Sequence, residues 1–132
     1  MVLVVDTHAI IWYLTNDVRL SRTALMAMDA ATAAGEPLHV SAISLVELLY
    51  LVEKGRVPAS DRQLLLDALD DPQQPPKLVP VNRRVVDALE RVARQDVPDM
   101  PDRIIAATAL AVGVPLISRD GKIRASSVQT IW

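Results

Sequence analysis

The sequence predicts a mainly parallel α/β sandwich, and three observations lead there. The segment Val2–Val5 is an uninterrupted run of β-branched residues and leucine, the pattern of a strand buried on both faces of a parallel sheet. Strand-like runs then alternate with helical periodicity along the whole chain, which implies right-handed crossover connections. Finally, 51% hydrophobic and 23% charged residues in a chain of 132 suit a single packed core, so residues 1–132 are expected to form one domain.

The elements follow in order. After Asp6 the period changes, and Ile10, Ile11 and Leu14 predict a first helix. Ser21 is an N-cap for a second, alanine-rich helix with body Ala24–Ala34, stopped by Gly35. Leu38–Val40 is a short strand, and Ser41–Gly55 carries a helix whose body, Leu45–Val52, is apolar apart from Glu47. Ser60–Asp71 is an amphipathic helix with Leu64, Leu65, Ala68 and Leu69 on one face. Three prolines in Asp71–Pro76 break it, and the extended run Leu78–Val81 leads into a helix predicted over Asn82–Arg94. Pro101–Val112 is a helix apolar on most sides, Val114–Ser118 a strand, and Val128–Ile131 a last strand.

Composition excludes several chemistries. With no cysteine there is no disulfide scaffold, zinc–thiolate site, iron–sulfur cluster or cysteine nucleophile. A net charge of −2 confines nucleic-acid contact to local basic patches. No apolar run approaches the roughly 18 residues of a membrane span, so no membrane partner is expected. The start Met1–Asp6 lacks a basic n-region, which predicts a cytoplasmic protein without a signal peptide.

Four acids stand out. Asp6 and Asp120 follow strands, at the carboxyl edge where open α/β sheets bind ligands; Glu47 and Asp102 lie at helix starts. Each has an ordinary explanation. Asp6 and Asp99 read as N-caps, Ser44 and Glu47 as a capping box, Asp102 as a first-turn acid, and Asp120-Gly121 as a turn. Together they point further. Glu47 is a lone charge among leucines, and several acids at one rim repel unless a cation offsets them. Oxygen ligands with no cysteine and few histidines favour Mg²⁺, or Mn²⁺, over zinc. Such a site suits phosphate-transfer and nuclease chemistry, and Arg103, Arg119, Lys122 and Arg124 are cations suited to phosphate.

Four motifs make the chain resemble a PIN domain, specifically the VapC-type toxin ribonucleases of type II toxin–antitoxin pairs. They are Val4-Val-Asp-Thr-His-Ala-Ile-Ile-Trp12, Ser41-Ala-Ile-Ser-Leu-Val-Glu-Leu48, Asp99-Met-Pro-Asp-Arg-Ile-Ile-Ala-Ala-Thr-Ala109 and Pro115-Leu-Ile-Ser-Arg-Asp-Gly-Lys-Ile123. The resemblance implies a five-stranded parallel sheet between helices. It also implies an acidic site of Asp6, Glu47, Asp102 and Asp120, which are both catalytic residues and metal ligands for Mg²⁺ or Mn²⁺. Thr7 and Ser118 take the positions of hydroxyls that orient acids or water, and Asp99 is an auxiliary acid or cap. Asp-Met-Pro-Asp departs from the family's usual Asp-Pro-Phe-Asp, which puts the local backbone in question but keeps both acids. The implied activity is endoribonucleolytic cleavage by a metal-activated water. The implied partners are RNA, a second copy of the chain, and a small cognate antitoxin that inhibits the toxin and joins it in a higher complex. Leu14, Leu20, Leu48 and Leu51 are the expected docking ground.

Two rivals remain open: a non-catalytic RNA- or antitoxin-binding module on the same fold, and a metal-dependent phosphatase of the haloacid dehalogenase type. The phosphatase needs a second aspartate where this chain has His8. His8 is expected to pack or to edge the substrate, His39 to be structural, and Trp12 and Tyr13 to belong to the core or an interface.

Overall fold

In the computed structural model, which describes residues 1–132, strands β1 (Leu3–Val5), β2 (Leu38–Ser41), β3 (Pro76–Val79), β4 (Leu116–Ile117) and β5 (Thr130–Ile131) form one sheet. Helices α1 (Thr7–Leu14), α2 (Arg22–Ala33), α3 (Ala42–Glu53), α4 (Ala59–Asp70), α5 (Arg83–Ala88), α6 (Met100–Val112) and α7 (Gly121–Arg124) connect and cover it. The strand order is β3-β2-β1-β4-β5, and every pairing is parallel. The chain steps outward from β1 through β2 to β3, then returns to lay β4 on the other side of β1. The carboxyl ends of β1 and β4 therefore flank the topological switch point, where such sheets open a crevice.

Side chains alternate across β1. Leu3 and Val5 enter one core with Ile10, Ile11, Trp12, Met28 and Leu48; Val4 enters the other with Ile105, Ala106, Leu116 and Ile123. Two cores on opposite faces make the three-layer sandwich and explain why Val2–Val5 reads as continuously apolar.

Several local expectations shift. Ser41, not Ser44, caps α3: its hydroxyl accepts from Ile43 N, whereas Ser44 lies buried inside the helix. The Ser44–Glu47 capping box is therefore absent. Asn82 caps α5, but the expected helix over Asn82–Arg94 stops at Ala88 and tightens into a 3-10 turn, Leu89–Arg91. There the carbonyls of Leu89 and Val92 accept from Arg103 of α6. Strand β3 starts earlier than Leu78: Pro76 begins this edge strand, and Pro80, which has no N–H, follows its end. Asp120-Gly121 opens the one-turn α7 rather than a simple turn.

Candidate metal and phosphodiester site

The loops leaving β1 and β4, together with α1, α3 and α6, enclose a cavity of about 230 Å³. It is lined by Asp6, Thr7, His8, Trp12, Glu47, Asp102, Ile105, Arg119 and Asp120. All four expected acids, drawn from segments far apart in sequence, thus face one space at the switch point.

Capping fixes three of the acids in the region. Asp6 Oδ1 accepts from Ala9 N at 3.0 Å, Asp99 Oδ1 from Asp102 N at 3.1 Å, and Asp120 Oδ1 from both Lys122 N and Ile123 N at 2.9 Å. Each cap uses one carboxylate oxygen, and Asp6 is further engaged by the Ser118 hydroxyl. Thr7 donates to Ser44 Oγ at 2.8 Å, a buried hydroxyl pair that ties α1 to α3. Ser118 Oγ accepts from Asp120 N at 3.1 Å and anchors the turn carrying that acid. Asp99 lines a neighbouring groove rather than the cavity itself.

The electrostatics show what crowding costs. Burial raises Asp6 above the ordinary carboxylate range, with Glu47 adding repulsion, while the Ser118 hydroxyl, the Ala9 N–H and His8 pull it down. Asp102 is pushed up to about 7, first by burial and then by the charges of Asp99, Asp120, Glu47 and Asp6. No ion pair relieves the cluster, since the three salt bridges of the molecule lie elsewhere. The donors are all oxygen, from carboxylates and hydroxyls, which fits a hard divalent cation. No three of the acids lie in a ready-made cation cage.

The cations separate into distinct roles. Arg103 turns from the cavity: its Nε donates to Val92 O at 2.8 Å and its terminal nitrogen to Leu89 O at 3.0 Å. Its guanidinium joins α6 to the 3-10 turn instead of presenting a free edge to RNA. Arg119 lines the cavity, and Lys122 and Arg124 are exposed on α7 next to Asp120. Trp12 is buried in the core as expected, yet its ring also walls the cavity, with His8 exposed against it at 5.6 Å between ring centroids. The place of His8 at the cavity edge agrees with the sequence reading, but the part Trp12 takes in the cavity wall was missed; the signal was the four-residue spacing of His8 and Trp12, which places both on one helix face. Leu20 and Leu48, expected to be docking surface, are buried in the core, and Leu14 and Leu51 pack against it. Exposed instead on α3 are Val46, Leu49 and Tyr50.

The sequence matches the PIN domain family over residues 3–127. The chain belongs to the PIN domain family. Against Ribonuclease VapC22 of Mycobacterium tuberculosis this PIN domain is 32% identical over 126 residues, covering 90% of this chain and 87% of the relative. Its fold superposes on a chain of VapBC2 from Rickettsia felis, a structure bound to a promoter DNA fragment. The TM-score is 0.70 at 15% identity, over 98% of this chain and 97% of that one. A chain of FitAcB from Neisseria gonorrhoeae gives 0.62 at 19% identity, over 97% and 95%. At such identities the structural likeness concerns the fold alone.

Proposed function

We propose that this PIN domain is a divalent-cation-dependent endoribonuclease, a VapC-type toxin held inactive by a small cognate antitoxin. The observation that carries the reading is the convergence of Asp6, Glu47, Asp102 and Asp120 on one cavity with none of them in a salt bridge. Those four side chains would hold Mg²⁺ or Mn²⁺, which when bound supplies charge to the phosphodiester and acidity to water. The chain's own residues do the rest. The caps at Asp6 and Asp120 fix the acids against the sheet edge, Ser118 anchors the Asp120 turn, and the Thr7–Ser44 pair holds α1 against α3. Burial and the neighbouring acids raise the carboxyl of Asp102 in the metal-free protein, and a bound cation would hold it ionised as a ligand. Arg119, Lys122 and Arg124 supply positive charge for the RNA backbone.

The identity to Ribonuclease VapC22 supports RNA as substrate, and the likeness to VapBC2 and FitAcB supports an antitoxin partner. Exposed Val46 and Tyr50 of α3, with Met100 at the start of α6, share a groove with Glu47 and Asp99 and supply apolar surface for a homodimer beside the site. The phosphatase alternative loses its second acid, because position 8 is His8 and lies against Trp12. The test is cleavage of single-stranded and structured RNA with Mg²⁺, with Mn²⁺ and in chelator. Cleavage with metal, silence in chelator and silence of Asp6→Asn are expected. Cleavage that persists in chelator refutes the reading.

A further inference from the structure

Two arginines that are held very differently lie over the Trp12 ring. Arg19 is 4.9 Å from the ring centroid, with its guanidinium bonded twice to Asp17 at 2.7 and 3.0 Å. Arg119 is 4.6 Å from the same centroid and lines the acid-lined cavity. Arg119 makes no ion pair, although the cavity it lines carries four carboxylates. The aromatic face is the only partner its guanidinium has. Trp12 is itself fixed: it is 4% exposed, and Trp132 packs against it at 6.1 Å.

We propose that Trp12 is a positioning residue, holding Arg119 away from the acids so that its guanidinium meets a phosphate of the substrate backbone. The inference rests on the RNA reading above and deepens it. A guanidinium stacked on an indole keeps its planar edge of N–H donors free, the edge that matches a phosphodiester in bidentate fashion. Without the ring, the long side chain is free to fold onto Asp102 or Asp120. It would then neutralise the acids and withdraw the only cation lining the cavity. A lysine keeps the charge but cannot reproduce the planar stack.

The experiment measures binding of a single-stranded RNA oligomer in chelator, where no metal contributes, as a function of salt. Arg119→Ala, Trp12→Leu, Trp12→Phe, Arg119→Lys and the double variant Trp12→Leu/Arg119→Ala are compared with the parent. Trp12→Leu is expected to weaken binding about threefold to tenfold, the scale of one cation–π contact. It should also lower the slope of log affinity against log salt by about 0.7, the share of one phosphate on a single strand. Arg119→Ala should do the same, and the double variant should be no weaker than Arg119→Ala. Trp12→Phe should restore most of the affinity. Arg119→Lys should behave like Trp12→Leu, which keeps the question decidable if leucine at this nearly buried position unfolds the protein. An unchanged salt slope in Trp12→Leu, losses that multiply in the double variant, or a parent that binds no RNA would each overturn the inference. A parent that shows this coupling yet cleaves nothing with metal supports the clamp and refutes the nuclease reading.

Discussion

Replacing Asp102 by Asn in metal-free protein should stabilise the fold at pH 8 and leave it unchanged at pH 4. In the unfolded chain Asp102 ionises at its ordinary value of 3.8; in the fold it holds its proton up to about 7. The sign follows from linkage. Below about pH 4 the carboxyl is protonated in both states, and its stabilising contribution is fully present. As pH rises through 7 the folded state is forced to ionise, and the contribution is lost. The interval sets a ceiling of about 4 kcal/mol at about 1.4 kcal/mol per pH unit. The group is partly exposed, so solvent and salt reduce this to about 1–2 kcal/mol. Asparagine keeps the backbone N–H that Asp99 caps but gives up the favourable acid in the first turn of α6, worth about 0.3–1 kcal/mol. The net gain at pH 8 is about 1 kcal/mol, or about 3–5 °C in melting temperature for a chain of this size. Thermal unfolding in chelator at pH 4, 6 and 8 measures it. Saturating Mn²⁺ should reverse the order, because a ligand bound only by the native state stabilises the parent. A variant that melts below the parent at pH 8 in chelator refutes the electrostatic account, since Asp102 would then be acting as a helix-start acid and nothing more.

Glu47→Gln should abolish metal-dependent cleavage with helix content unchanged, because Ser41 caps α3 and Glu47 has no capping role; full activity would remove Glu47 from the site. Arg103→Ala should lower stability by about 1–3 kcal/mol, since the Val92 carbonyl loses its donor and the Leu89 carbonyl keeps only Val92 N, while the salt dependence of RNA binding stays as in the parent. A flattened salt slope in that variant would return Arg103 to the RNA surface. Replacing Lys122 and Arg124 together with alanine should weaken RNA binding and flatten its salt dependence, with hydrolysis of a small chromogenic phosphodiester little changed; equal losses on both substrates would place them in the metal site or the fold.

The parallel α/β architecture was legible because buried strands and helix periods are written over a few consecutive residues. Asp6, Asp99 and Ser21 were readable as caps for the same reason, since each bond spans only three positions. The α3 cap was misplaced because Ser41, Ser44 and Glu47 satisfy two registers of the same short pattern. Only the end of β2 at Ser41 selects between them. The helix over Asn82–Arg94 was overextended because its stop comes from an arginine 11 to 14 residues downstream.

By itself, then, the sequence determined the fold class, the order of the elements and which four acids belong together. Local hydrogen bonding and hydrophobic period need no knowledge of the rest of the chain. Only the tertiary structure decided what the cations do. An arginine side chain is long enough to reach a carbonyl, a carboxylate or an indole, and which one it finds depends on elements brought near by folding. Arg103 finds two carbonyls of a turn, Arg19 finds Asp17 beside the ring, and Arg119 finds only Trp12, from the opposite end of the chain. The strand order β3-β2-β1-β4-β5 is what places that ring and that arginine on one cavity, because it sets the ends of β1 and β4 side by side.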